Sequence, residues 1–126
     1  MGSRVVSGTY VSGHNHSGRR PKFYESLGLW KGTINVQLPR ETDESVILPK
    51  ERVPGLDPFD QNENQDFLIR PCRLKGVSGY QIVPIDKTTS APRGHHSEKV
   101  VEIALTKNVE IRPNEELEVE LEGFDS

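Results

Sequence analysis

The sequence predicts a mainly β protein, a small barrel of six or seven strands with little helix. Two observations carry that expectation. Short segments rich in β-branched residues alternate apolar and polar side chains, and clusters of Gly, Pro, Asn and Ser punctuate them. A third argument is economy: so few strands hide their edges best by closing on one another. The 126 residues match one domain, spanning 1–126, and a domain of that size buries about two-thirds of its unfolded surface. Hydrophobic residues make up 33%, against an apolar share of about 45–50% (Gly included) in ordinary globular chains. One compact core with long polar loops follows.

Residues 4–11 mix Val, Thr and Tyr with small polar residues and read as a first strand that stops at Ser12-Gly13. A polar, basic loop, His14-Asn15-His16-Ser17-Gly18-Arg19-Arg20-Pro21, comes next. Residues 22–27 fit a short helical turn, with Phe23 and Leu27 at i, i+4 and Gly28 at the position that ends it. The clearest strand is Gly32-Thr33-Ile34-Asn35-Val36-Gln37-Leu38, stopped by Pro39, which has no N–H to offer a ladder. The proline-rich, polar stretch 40–66 reads as an excursion with one short strand at Val46-Ile47-Leu48 and little core. Residues 67–74 and 80–85 form a hairpin across 75–79. A second polar loop leads to a strand at 99–105. Then Val109-Glu110-Ile111 and a turn at 112–115 precede Leu117-Glu118-Val119-Glu120-Leu121, whose strict alternation marks a strand with one wet face.

Charge and cysteine content exclude several classes. Sixteen Lys and Arg against nineteen Asp and Glu give a net charge of −3, so no general attraction to nucleic acid or an anionic membrane is expected. Cys72 is the only cysteine, which rules out an intramolecular disulfide and a cysteine-rich zinc site; with no base near it in sequence, it is not expected to act as a nucleophile. No apolar run approaches the roughly 20 residues of a membrane span, and no apolar signal core follows Met1. A cytoplasmic setting is expected.

Thr33 and Asn35 leave the same side of their strand about 6–7 Å apart along the chain. Their oxygens are hard donors of the kind Mg²⁺ takes, and equally they fit the wet face of an amphipathic strand. Backbone N–H groups and Arg19 in the loop after Gly13 could cradle a phosphate, although no Walker-type motif is present, or the loop could be plain surface. His14 and His16 in that loop and His95 and His96 in the later one offer an alternative site for Zn²⁺ or another divalent metal if the loops meet. Glu102 lies inside the apolar run Val100-Val101-Glu102-Ile103-Ala104. It either serves as a base or ligand acceptor or simply points to water. The acidic segment 110–122 and the polar excursion leave room for an interaction module, though such charge is usually a solvated face.

Taken in order, Gly8-Thr9-Tyr10-Val11-Ser12-Gly13, then Leu27-Gly28-Leu29-Trp30-Lys31-Gly32-Thr33-Ile34-Asn35-Val36, then His96-Ser97-Glu98-Lys99-Val100-Val101-Glu102-Ile103, resemble the archaeal CTP-dependent riboflavin kinases over nearly the whole chain. The resemblance implies a six-stranded cradle-loop barrel that transfers the terminal phosphoryl group of CTP to the 5′-hydroxyl of riboflavin, giving FMN and CDP. It assigns Thr33 and Asn35 to Mg²⁺, places Ser12 and Gly13 at the start of a nucleotide loop that continues through His14, Gly18 and Arg19, and sets His96, Ser97 and Glu102 at the flavin. Glu102 as the catalytic base is our own addition, from its place on the matched strand. The two histidine-bearing loops depart from the family pattern, so the resemblance is that of a divergent member. Its alternative is a barrel of the same build that binds another small ligand or a metal without kinase activity. Small-molecule substrates, and neither nucleic acid nor membrane, are the expected partners.

Overall fold

A computed structural model describes residues 2–15, 21–30, 32–54, 65–86, 88–89, 91–92 and 99–124. The elements run β1 (Gly2–Asn15), α1 (Pro21–Ser26), β2 (Gly32–Gln37), α2 (Glu44–Ile47), β3 (Glu51–Pro54), β4 (Gln65–Leu74), β5 (Val77–Asp86), β6 (Val100–Leu105) and β7 (Glu116–Phe124). Six strands follow one another antiparallel in the order β4-β5-β6-β2-β1-β7, and β7 returns to pair with β4. That pairing closes a barrel, the predicted fold class, and β3 lies outside the ring against β4.

Two strands make closure possible by serving two neighbours each along one length. β1 pairs with β7 from Gly2 to Thr9 and with β2 from Thr9 to Asn15, and its register shifts between Tyr10 and Ser12, leaving Val11 as the extra residue. Such a bulge bends a strand and lets it pass from one neighbour to the next. One edge of β4 is shared likewise: β3 takes Asp66 to Ile69 and β7 takes Cys72 to Leu74. The expected stop of the first strand at Ser12-Gly13 is therefore corrected. Gly13 pairs with Ile34 and His14 with Thr33, and these ladder bonds override the local turn signal of Ser-Gly.

Alternation then sorts the side chains. Val36, Val101, Ile103, Leu105, Leu117, Val119, Leu121, Cys72 and Leu74 point inward and form the main core. The β4–β5 turn is tighter than the expected 75–79. Only Lys75 (φ 52°) and Gly76 (φ 77°) lie between the strands, the double left-handed conformation of a two-residue hairpin turn whose twist matches the strands.

The excursion also departs from expectation. Val46 and Ile47 belong to the helix α2 rather than a strand, and both are fully buried in the core of a region expected to hold little of it. Asp43 caps the helix by accepting a hydrogen bond from Ser45 N. An apolar triplet is too short for its period to separate strand from buried helix. What fixes the helix is tertiary. Its carbonyls point at two buried side chains: Arg70 donates to Ser45 O (2.6 Å) and Val46 O (3.3 Å), and Gln81 Nε2 donates to Val46 O (2.8 Å) and Ile47 O (3.1 Å). A helix end leaves such carbonyls without intrahelical partners, so burying one demands donors of this kind. Burial, and secondarily the charge of Arg4, lower the pKa of Arg70; the carbonyls and the Phe124 ring, 4.4 Å from its guanidinium, offset that cost.

A smaller second core lies on the outer face of β4, β5 and β6. Phe23 and Tyr24 of α1 pack there on Phe67, Ile69, Ile82 and Ala104, with Phe23 stacked on Phe67 at 4.0 Å between centroids. Burying one such aromatic ring contributes about 1.5–3 kcal/mol, enough to hold a six-residue helix that could not persist alone. Gly28, with φ 67°, ends the turn as expected.

Candidate functional site

The outer face of β2 is where the predicted residues meet. Ile34 and Val36 look into the barrel, so Thr33 and Asn35 look out, and neither is wet: their exposures are 3% and 5%. Two polar side chains buried on the outside of a barrel are a departure from the wet-face pattern, and they ask for a reason. β6 supplies the neighbours. Asn35 stands directly opposite Glu102, and Thr33 opposite Ala104; β5 continues the same two rows with Ile82 and Tyr80. Directly opposite residues in an antiparallel pair share a face, with Cβ atoms about 4.5–5.5 Å apart. Thr33, Asn35 and Glu102 thus form one cluster, bordered by the apolar surface on which α1 rests. Glu102 is half-buried rather than pointing freely to water, and all three residues have interaction partners.

The strand β1 brings a further part of the expected site alongside. The register sets Ser12 opposite Asn35, Gly13 opposite Ile34 and His14 opposite Thr33. Gly18, Arg19, His16, His95, His96 and Ser97 lie outside the described residues. The histidine metal site therefore rests on side chains the structure does not describe, and among the described residues no group of three or more His, Cys, Asp or Glu gathers.

Beside this cluster is a feature the sequence did not single out, a half-open cavity of about 290 Å³. It lies where β2 begins and β6 ends. Tyr10, Trp30, Ile34, Leu105, Val109 and Ile111 give it apolar walls, while Thr33, Lys107 and Asn108 border it. Trp30 is 38% exposed and its ring lies against Gly32, where any β-carbon would overlap the indole. A glycine at position 32 is what allows the ring to lie on the strand. The sequence held a faint signal of this, a tryptophan two residues before the clearest strand and a pair of apolar residues, Val109 and Ile111, in an otherwise polar segment.

Hard oxygen donors, a carboxylate one strand away and an apolar recess next door can do particular chemistry. Thr33 Oγ1, the Asn35 amide oxygen and Glu102 are the oxygen-only set that suits Mg²⁺ and not a soft metal. Their burial among apolar residues strengthens electrostatic attraction to a charged ligand compared with the same groups in water. Cys72 takes no part: it is buried in the barrel interior, where burial first and the charge of Glu122 second push its thiol up to about 12. Among the described residues no helix is long and apolar enough to cross a membrane. Compared with known proteins, the chain matches no family model and no curated protein sequence.

Proposed function

We propose that the protein is a phosphotransferase of the riboflavin-kinase type, moving the terminal phosphoryl group of a nucleoside triphosphate, CTP by the resemblance, to the 5′-hydroxyl of riboflavin. The single observation that carries this reading is the burial of Thr33 and Asn35 on the outer face of β2 with Glu102 directly across from Asn35. In this reading Thr33 and Asn35 hold Mg²⁺, which when bound neutralises charge on the phosphoryl oxygens. Glu102 receives the proton of the attacking hydroxyl. The hydroxyl oxygen bonds to the terminal phosphorus as the bond from that phosphorus to the bridging oxygen breaks, and the electron pair of that bond leaves with the nucleoside diphosphate. The remaining contribution is positioning, which supplies most of the catalysis in phosphoryl transfer.

The cavity beside Thr33 supports the same reading. Its volume of about 290 Å³ lies at the lower limit of small-molecule pockets, about 300–1,000 Å³, a size for one heterocycle rather than a whole nucleotide. Trp30 offers a stacking surface for a base at the open end of the barrel, and Thr33 belongs both to the cavity lining and to the row of Asn35 and Glu102.

Incubation with riboflavin, Mg²⁺ and each of CTP, ATP, GTP and UTP, with FMN resolved by chromatography, tests this. FMN is expected, and no FMN from any of the four sinks the proposal. Thr33→Val and Asn35→Leu are each expected to lower kcat by about 100-fold or more, beyond what loss of an outer-shell partner costs a metal site. Glu102→Gln should lower kcat by about 10²–10⁴-fold, the range for a general base.

A further inference from the structure

The cavity has one wall without regular secondary structure, the segment from Thr106 to Glu115 that joins β6 to β7 and carries Lys107, Asn108, Val109 and Ile111. A wall of this kind keeps its shape through its tethers and through the packing of Val109 and Ile111 on the core. At its start Thr106 N donates to Ser78 O (2.9 Å), and at its end Glu115 O accepts from Tyr10 N (2.9 Å), so each extremity is stitched to a strand. Among the described residues, a polar side chain from elsewhere also reaches the middle. Lys75, in the β4–β5 turn, donates from Nζ to Glu110 O (2.9 Å) and pairs with Glu115 Oε2 (2.6 Å). Glu115 Oε1 in turn accepts from Arg112 N (2.8 Å).

The position of that carbonyl matters. Glu110 stands between Val109 and Ile111, the two apolar residues that both line the cavity and pack against the main core. The carbonyl that Lys75 holds thus belongs to the residue between the two side chains that form this wall. The ion pair is more than a quarter exposed on each side, and exposed pairs add little to global stability. Its effect is on shape.

We infer that Lys75 is a positioning residue for the ligand cavity, a strut from the β4–β5 turn that fixes the Val109–Ile111 wall through Glu110 and Glu115. This rests on the cavity being the nucleotide-base site of the proposed kinase, but the strut itself can be judged without that activity. Three observations on wild type, Lys75→Met and Lys75→Arg test it: amide hydrogen exchange over 106–115, acrylamide quenching of the only tryptophan, Trp30, and the split of kcat from the KM for the triphosphate.

Lys75→Met keeps the aliphatic stem and removes the charge. It is expected to speed exchange in 106–115 with β2 and β6 unchanged, to alter Trp30 quenching, and to raise KM by about tenfold with kcat within twofold, the pattern of lost ground-state positioning. Lys75→Arg, which can still reach a carbonyl and a carboxylate, should restore all three. Unchanged exchange in 106–115 overturns the strut. So does faster exchange throughout the barrel, which would make Lys75 a stability residue only. If wild type makes no FMN, the kinase reading fails by itself and exchange with Trp30 quenching still decides on the strut.

Discussion

The two ends of the β2–β6 pair have been finished in opposite ways. Where β2 ends and β6 begins, α2 plugs the barrel, tied by Lys99 to Glu44 at 3.7 Å and by Arg70 and Gln81 to three consecutive carbonyls. Where β2 begins and β6 ends, the barrel stays half open and the same kind of core residues, Ile34 and Leu105, line a recess. Closing the first end required burying helix carbonyls, which is stable only with every one of them satisfied. The second end avoids that requirement by leaving its segment at the surface. Buried hydrogen bonds to a helix are gathered at one end, and an open recess at the other.

Substitutions should separate the two. Arg70→Met keeps the stem but removes two hydrogen bonds from a charged donor to buried carbonyls, and a loss of about 3 kcal/mol is expected in urea unfolding. A loss under about 1 kcal/mol would mean that the guanidinium does not hold the plug. Cys72 gives an independent measure. With its thiol pushed up to about 12 by burial, native protein should resist a thiol reagent at pH 8 and react only through unfolding. Arg70→Met should then label about 100-fold faster, the factor that 3 kcal/mol implies when opening is at equilibrium. Because the folded pKa is raised, the contribution of Cys72 to stability is complete below the unfolded value near 8.5–9 and falls as the pH rises above it.

At the open end the effects should be smaller for the fold and visible in binding. Trp30→Ala should cost under about 1 kcal/mol of stability, since the ring is already partly in water, yet weaken triphosphate binding by about tenfold, in line with stacking of a base on an aromatic ring. Equal losses in both would erase the contrast. The smallest effect expected is with pH. Glu115 is held below its ordinary value of 4.5 by the hydrogen bond from Arg112 N, then by Lys75. A depressed carboxylate stabilises at and above its ordinary value, and that support is lost as the pH falls through the folded value. Protection factors in 106–115, taken relative to the intrinsic exchange rate at each pH, should therefore fall as the pH drops below about 4.5, before those of the plugged end do.

Much of this barrel was legible along the chain because its strands alternate. The strict patterns of β2 and of Leu117-Glu118-Val119-Glu120-Leu121 identify inward and outward residues directly, and the hairpin of β4 and β5 needs only its turn to be trimmed. The helix α2 was not legible, since Val46 and Ile47 become helical through donors at Arg70 and Gln81, 24 and 34 or more positions away. Neither was β3, whose Glu51-Arg52-Val53-Pro54 has no alternation to announce it and pairs only because β4 has a free half-edge. At the site, Thr33, Asn35 and Glu102 were each suspected, but their convergence depends on the register of β2 with β6, which no local pattern states. The cavity was missed for the same reason, being assembled from β1, β2 and the 106–115 segment.

The arrangement of β7 has a consequence for how the molecule is made. It is the last of the described strands and pairs on both sides, with β1 and with β4. Until it arrives, residues 2–9 and 72–74 offer bare backbone donors and acceptors to any other strand. The barrel thus spends its synthesis as an open sheet, and its closing contacts are among the most distant in sequence, which makes folding slow and the unfinished chain prone to associate. A chain shortened to end before Glu116 should accumulate as aggregate rather than as a smaller folded domain.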